Sequence, residues 1–258
     1  MAFRIATWNV NGIRARHAEL VSWAKTGNFD VICLQELKAT PEQVPEALTT
    51  LPEYWSFWHG RAGGYSGVSL HVKRSTVAGR VCFTHPDFDT EARIVQASLG
   101  DVVIASVYVP NGGKDYPAKL RFLSAMQDYV RELHASGKRL VLCGDMNVAR
   151  REEDVHPSER KAHAIGQRPD ERALFEGLIA CDLVDVTRAL HPEDAQLFTW
   201  WPYWRDARLR NVGWRLDYVL TSSELASSAS HATVERQIGT SDHAPLVVEL
   251  GAVLHAVT

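Results

Sequence analysis

Eight short runs rich in Val, Ile and Leu constrain this chain more than any other feature. They are Phe3–Val10, Val31–Gln35, Gly67–Val72, Ile94–Leu99, Val102–Val109, Leu140–Cys143, Leu216–Leu220 and Leu246–Leu250. Runs this short have the length of strands, not helices. Gly67–Lys73 and Ile94–Leu99 also alternate polar and apolar residues, the pattern of strands with one face packed. Helical patterns lie between some of them. In Lys119–His134 the residues Phe122, Met126, Tyr129, Val130 and Leu133 form one apolar stripe, and Gly137 is placed to stop that helix. Asp170–Cys181, with Asp170 as its cap, and His17–Thr26 are two further expected helices. Strands outnumbering helices, with helices to cover outer faces, predict a layered α/β architecture. Across 258 residues no stretch has linker composition, so residues 1–258 are read as one domain.

Ordinary globular composition, 45% apolar and 23% charged, excludes a disordered or fibrous chain. No apolar run approaches the ~18 residues of a membrane span. The opening Met-Ala-Phe-Arg breaks its apolar stretch at once, unlike a secretory signal, so a soluble, cytoplasmic protein is the expectation. A formal charge of −3 means that a polyanionic partner must be held by a local basic patch or a metal. Cys33, Cys82, Cys143 and Cys181 form no Cys-x-x-Cys pair and sit among apolar neighbours, so they are expected to be reduced, buried and inert.

Polar side chains recur where the apolar runs end. Asn9 follows Ile-Ala-Thr-Trp, Glu36 follows Val-Ile-Cys-Leu-Gln, and Asp145 with Asn147 follows Leu-Val-Leu-Cys-Gly. Asp217 interrupts Trp-Arg-Leu-Asp-Tyr-Val-Leu, and Asp242-His243 precedes Ala-Pro-Leu-Val-Val-Glu-Leu. Asn9 and Asn147 could cap loops, Glu36 start a helix and Asp242-His243 make a turn, but Asp217 inside a strand is harder to explain because Asp is disfavoured there. Their recurrence at strand ends is the signal, because carboxylates in apolar settings need compensation. If several converge, repulsion raises their pKa values unless a cation neutralises them. Carboxylate and amide oxygens suit Mg²⁺ or Mn²⁺ better than zinc. The Asn-Val that ends Ile5–Val10 recurs in Leu142–Val148, a weak hint of duplication and a better hint that two strands serve one edge.

A second group suits phosphate and DNA. Tyr108-Val-Pro-Asn111 ends a strand with a phenol and an amide, Gly112-Gly113-Lys114 follows, and Arg93 lies near a strand start. From Trp204 to Leu216, Arg205, Arg208, Arg210 and Arg215 face only Asp206, beside Phe198, Trp200, Trp201, Tyr203 and Trp214. Some of those rings belong to a core. Aromatics interleaved with arginine also describe a surface that stacks on sugars or bases while holding phosphates.

Seven strings are recognisable together. Trp8-Asn-Val-Asn-Gly-Ile-Arg-Ala, Leu34-Gln-Glu-Leu-Lys, Gly64-Tyr-Ser-Gly-Val, Tyr108-Val-Pro-Asn, Gly144-Asp-Met-Asn-Val-Ala, Asn211-Val-Gly-Trp-Arg-Leu-Asp-Tyr and Ser241-Asp-His-Ala-Pro-Leu resemble the exonuclease III family of abasic-site endonucleases. They occur in the family's order, and the Asn211–Tyr218 string is the most specific to that branch. The resemblance implies a four-layer α/β sandwich, two packed mixed β-sheets flanked by helices, with the active site at one end. It implies Glu36 as the main Mg²⁺ ligand, Asn9 and Asp242 close by, and Asp145, Asn147 and His243 around the same ion. Asp145 would activate water, Asn147 hold it or the phosphate, and His243, oriented by Asp217, offset charge on the phosphate. Tyr108 and Asn111, and more remotely Arg93, would bind phosphate oxygens. Trp200, Trp214 and Leu216 match the pocket for a flipped abasic sugar, and Trp204 and Lys114 match positions that approach the DNA grooves.

The implied activity is Mg²⁺-dependent cleavage of duplex DNA 5′ to abasic sites, leaving a 3′-hydroxyl, with 3′-phosphodiesterase or 3′→5′ exonuclease activity in the same site. A monomer is the expected form. A nonspecific nuclease, a phosphoinositide phosphatase and a DNA-binding module without catalysis are the alternatives. The Arg-and-Trp segment argues against the phosphatase, and retention of Glu36, Asp145, Asn147, Asp217, Asp242 and His243 argues against the inactive module. This sequence departs from the family at Leu37, where Thr or Ser is common, at Ala92, where Gly is usual, and at Asn11, an Asp in some members. Loop His156–Gly166 matches no family segment, so it contributes no expected DNA contact.

Overall fold

The computed structural model describes residues 2–49, 51 and 53–251. The chain begins β1 (Phe3–Asn9), α1 (Ile13–Gly27), β2 (Val31–Gln35), α2 (Glu46–Thr49), β3 (Tyr54–His59) and β4 (Val68–Lys73). It continues with β5 (Phe83–Thr84), β6 (Ile94–Leu99), β7 (Val102–Tyr108), α3 (Tyr116–Ala135) and β8 (Arg139–Asp145). It ends with α4 (Pro169–Ile179), β9 (Leu183–Asp185), α5 (Val186–Leu190), β10 (Asp217–Ser222), α6 (Ser223–Ala226), β11 (His231–Val234) and β12 (Leu246–Leu250).

Two six-stranded sheets result, ordered β11-β12-β1-β2-β4-β3 and β5-β6-β7-β8-β10-β9. Each contains one parallel pair, β1 with β2 and β7 with β8, and in each the crossover carries a long helix, α1 or α3. Every other pairing is antiparallel. Ile5, Cys33, Leu70 and Val248 of one sheet meet Ile104, Val141, Cys143 and Val219 of the other in the central core. The opposite faces are also covered. Leu123, Met126 and Val130 of α3, with Phe175 of α4, pack on Val103, Val107 and Leu142, while Leu20 and Trp23 of α1 pack on Ala6, Trp8 and Ile32. Central strands buried on both faces need continuous apolar sequence, which explains the unbroken runs. This is the four-layer α/β sandwich, with Leu37 packed into the layer under α1.

Local chemistry shifts several expected boundaries. The α3 helix begins at Tyr116, because the Asp115 carboxylate caps it by accepting from the Ala118 N–H at 2.9 Å. Asp170 is not a cap: Arg168 precedes α4, and Glu171 closes the turn by accepting from the Arg168 N–H at 2.9 Å. Helix α1 starts at Ile13, four residues before the expected start. Asp217 opens β10 opposite Asp145 and interrupts no strand. Aromatic β3 and the short edge strands β5 and β9 fall outside the eight apolar runs. Cys33 and Cys143 are buried, but Cys82 is exposed beside the two-residue edge strand β5, where no layer covers it.

This topology sets where the polar residues go. Strands β1, β2, β7 and β8 end on one rim of the sandwich, and antiparallel β10 and β12 start there. Asn9 closes the first strand of its parallel pair, whereas Asn147 follows the second of the other pair. The shared Asn-Val is therefore convergence on a rim and not a repeat.

Candidate active site

At the rim the two sheets are stitched by side chains. Asn9, buried at the end of β1, donates from Nδ2 to Glu36 Oε2 at 3.0 Å and to Asp145 Oδ2 at 2.9 Å. Its Oδ1 accepts from the Asn11 N–H at 2.9 Å. Glu36 and Lys38 both have left-handed backbone, φ 57° and 52°, which turns β2 sharply into the site. Lys38 Nζ bridges Glu36 Oε1 at 2.9 Å and Asn11 Oδ1 at 2.6 Å. On the second sheet, Asp145 Oδ1 accepts from the Asn147 N–H at 2.8 Å, and Asn147 Nδ2 donates to Val109 O at 2.9 Å. Gly144 is obligatory here: its φ is 147°, and a Cβ would sit 1.9 Å from Val107 O.

His243 comes from the segment that leads into β12. Its Nδ1 lies 2.8 Å from Asp217 Oδ2, which assigns the proton to Nδ1, and its Nε2 faces Asp145 Oδ2 at 3.8 Å. Burial alone would lower the His243 pKa, but Asp217 and Asp145 outweigh it and raise it to about 10. Burial raises Asp145 to about 7, with His243 opposing and Asp217 reinforcing the shift. Burial pushes Asp242 up too, but His243 and hydrogen bonds from Asn11 and Trp200 hold it below the ordinary carboxylate range. Those bonds are 2.7 Å from Asn11 Nδ2 and 3.0 Å from the Trp200 indole. Tyr108 is held well above its ordinary value by burial, then by Glu36 and Asp145.

A cavity of about 380 Å³ opens over these groups. Glu36, Tyr108, Asn111, Asp145, Asn147, Asp242 and His243 form its polar side, and Trp200, Trp214 and Leu216 form an apolar wall. Asn9 and Asp217 are buried among the polar groups. Four lining residues lay outside the expected site: Asn11, Lys38, Ile165 and Gly166. Gly166 sits so close to Trp214 that a Cβ would lie 2.8 Å from the indole. The only sequence signal for the last two was a loop without a family counterpart.

Arg93, Lys114 and Trp204 do not line the cavity. Arg93 is buried beneath Tyr108, 5.2 Å from its ring, and faces a neighbouring groove beside α3. Lys114 is exposed, and Trp204 stands out at 63% exposure. The expected four-arginine patch shrinks to Arg205 and Arg210. Arg215 is fully buried, paired bidentately with Asp154 and Asp185, and Arg208 spends its guanidinium on the carbonyls of Arg236, Ile238, Gly239 and Ser241.

The donors near the Glu36–Asn9–Asp145 cluster are carboxylate and amide oxygens, the set that suits a hard divalent cation. Asp217 Oδ1 is buried without a hydrogen-bond partner among the described residues, and Asp145, Asp217 and His243 bring ligand-type atoms within 4.8 Å of one another. Glu36, Asp145, Asp217 and Asp242 outnumber Lys38 and His243, and the excess of negative charge fits a cation.

Sequence and structure comparisons agree on the family. The Endonuclease/Exonuclease/phosphatase family model matches residues 6–243. An exodeoxyribonuclease of Bacillus subtilis is 31% identical over 94% of this chain and 97% of its own. Recombination repair protein 1 of Drosophila melanogaster is 33% identical over 95% of this chain, which spans only 36% of that protein's length. An AP endonuclease from Archaeoglobus fulgidus has a similar structure, with a TM-score of 0.86 and 29% identity over 96% of this chain and 99% of its own. With the rim of carboxylates, amides and histidine in place, the chain belongs to the endonuclease/exonuclease/phosphatase family, on its exonuclease III and AP endonuclease branch.

Proposed function

We propose that this chain hydrolyses the phosphodiester 5′ to abasic sites in duplex DNA, with Mg²⁺ as its cofactor, and leaves a 3′-hydroxyl. One observation carries the reading. The hydrolytic cluster of Asp145, Asn147 and His243 shares a cavity with the apolar wall of Trp200, Trp214 and Leu216. Such a wall accepts a sugar stripped of its base, and flipping is cheapest at a damaged site.

Glu36, with Asn9 and Asp242 close by, would hold the ion. Bound there, Mg²⁺ supplies positive charge to the phosphate and to the departing 3′ oxygen. Asp145 takes the proton of the attacking water, and Asn147 orients that water or the phosphate. Tyr108 and Asn111 donate hydrogen bonds to phosphate oxygens. With a proton on each nitrogen the His243 ring is a cationic donor, so it meets the charge that grows on those oxygens, steadied by Asp217.

Incision of a labelled duplex carrying one tetrahydrofuran abasic analogue tests this. Cutting 5′ to the analogue with Mg²⁺, none with EDTA, and a loss of about 10²–10⁴-fold in Asp145→Asn are expected. Equal digestion of an undamaged duplex would replace the reading with a nonspecific nuclease. The name of the Bacillus relative, an exodeoxyribonuclease, favours a second activity, removal of nucleotides from DNA ends, which a blunt undamaged duplex reports in the same assay.

A further inference from the structure

A second set of metal-ligating groups lies away from the carboxylate cluster, where the end of β3 meets the segment between β5 and β6. His59 is the last residue of β3, and His85 follows β5 directly. Their rings stack, with centroids 4.5 Å apart and planes 16° from parallel. His59 Nε2 lies 3.0 Å from Asp89 Oδ2, and one ligand atom from each of the three residues falls within 4.8 Å of the others.

The three differ in how firmly they are held. The Asp89 side chain is fully buried and fixed by backbone N–H groups of Glu91 at 3.1 Å, Arg93 at 2.9 Å and Ile94 at 3.0 Å. Burial opposes its ionisation, but His59 and those donors win, and its pKa stays below the ordinary value. Metal-binding carboxylates are characteristically anchored by such second hydrogen bonds. The half-buried His59 is oriented by Asp89, while His85 is exposed. In a tetrahedral site with bonds of ~2.0–2.1 Å the ligand atoms stand about 3.3 Å apart. Near-parallel stacked rings cannot both aim a lone pair at one ion, so binding draws the exposed His85 ring out of the stack to face the same point as His59 and Asp89.

We propose that His59, His85 and Asp89 form a second metal site, which takes a borderline-soft ion such as Zn²⁺ and not the hard ion of the carboxylate cluster. Two imidazoles and one carboxylate favour Zn²⁺, Ni²⁺ or Cu²⁺ over Mg²⁺. On binding, the ion replaces the hydrogen bond between His59 and Asp89, the neutral His59 ring carries its proton on Nδ1 while Nε2 ligates, and a fourth position is left to solvent. A hydrogen-bonded His–Asp pair without a metal accounts for His59 and Asp89 but assigns nothing to the stacked His85. The site would brace the turn that Asp89 organises. That turn leads into Arg93, whose carbonyl accepts the Tyr108 N–H at 2.7 Å.

Competition for Zn²⁺ between the full-length, metal-free protein and a chromophoric chelator tests the assignment, with Co²⁺ absorption reporting the ligand geometry. Cys82 is exposed three residues before His85, so Cys82→Ser serves as the parent for every other variant. At least one equivalent should bind that parent and one should remain in its Glu36→Gln/Asp145→Asn form, in which His85→Asn and His59→Asn should each weaken binding by about tenfold or more. Metal-free melting temperatures show that the exposed His85 variant is folded. Undiminished affinity in His85→Asn, or loss of binding in Cys82→Ser or in the Glu36→Gln/Asp145→Asn form, would overturn the proposal.

Discussion

Asp145 and His243 show how far single residues here depart from their behaviour in water. Asp217 and Asp145 raise His243 to about 10 in the folded chain, above its ordinary 6.5. A base whose pKa rises on folding contributes stability below its unfolded value and loses that contribution as pH climbs through the folded one. For metal-free protein, the melting-temperature gap between the parent and Asp217→Asn should therefore be wide at pH 6 and narrow steadily from pH 7 to 10. A gap independent of pH would mean that the pair is not an ion pair. Ala92 is a second departure. It holds φ at 54°, the left-handed region that glycine occupies without strain. The strain costs roughly 1–2 kcal/mol, part of which glycine's own chain entropy offsets. Ala92→Gly should raise the melting temperature by about 2 °C, and a decrease would show that the Ala92 methyl's packing outweighs the strain.

At the scale of elements, β7–α3–β8 was legible because uninterrupted apolar runs flank an amphipathic stripe, whereas α1 was expected without such a stripe and begins four residues earlier than that expectation. Helix starts were less so, since Asp115 and Glu171 act through backbone contacts that no periodicity reveals. The tie between α3 and α4 was hidden altogether. Lys119 and Glu171 are both fully buried and paired, Lys119 Nζ also donates to the Asn147 carbonyl at 2.7 Å, and Glu171 Oε1 accepts the Gly166 N–H. One ion pair thus carries the catalytic turn at Asn147 and the cavity wall at Gly166. Lys119→Met should cost about 3–5 kcal/mol in chemical denaturation by stranding the Glu171 charge, and adding Glu171→Leu should restore part of it, because the Asn147 carbonyl and the Gly166 and Arg168 N–H groups stay unpaired. Additive losses in the double variant would exclude a coupled pair.

For the whole molecule, the rim was readable because polar residues repeatedly ended apolar runs, and Asn9, Glu36, Asp145 and His243 do converge. Asn11 and Lys38 were harder to see as part of the site. Asn11 reaches Asp242 across 231 residues of sequence, a separation over which local pattern carries no information. Charge was the least legible property, since sequence cannot separate a solvent-facing arginine from Arg215, buried between two aspartates. With Arg205 and Arg210 exposed, replacing either by Ala should lower the salt slope of DNA binding by roughly 0.9. An unchanged slope in both would place the phosphates elsewhere. The stitching of the rim has one more consequence. Asn9 meets Asp145, Gln35 meets Ser106 at 3.1 Å, and His243 meets Asp217, each partner coming from a different sheet or its flanking segment. The thickness of the apolar filling between the sheets is thus the gauge of the catalytic machinery. Leu70 and Ile104, which touch no substrate, act as shims, and any heat, pressure or cavity that lets one slab slip on the other disarms the enzyme while both slabs are still intact.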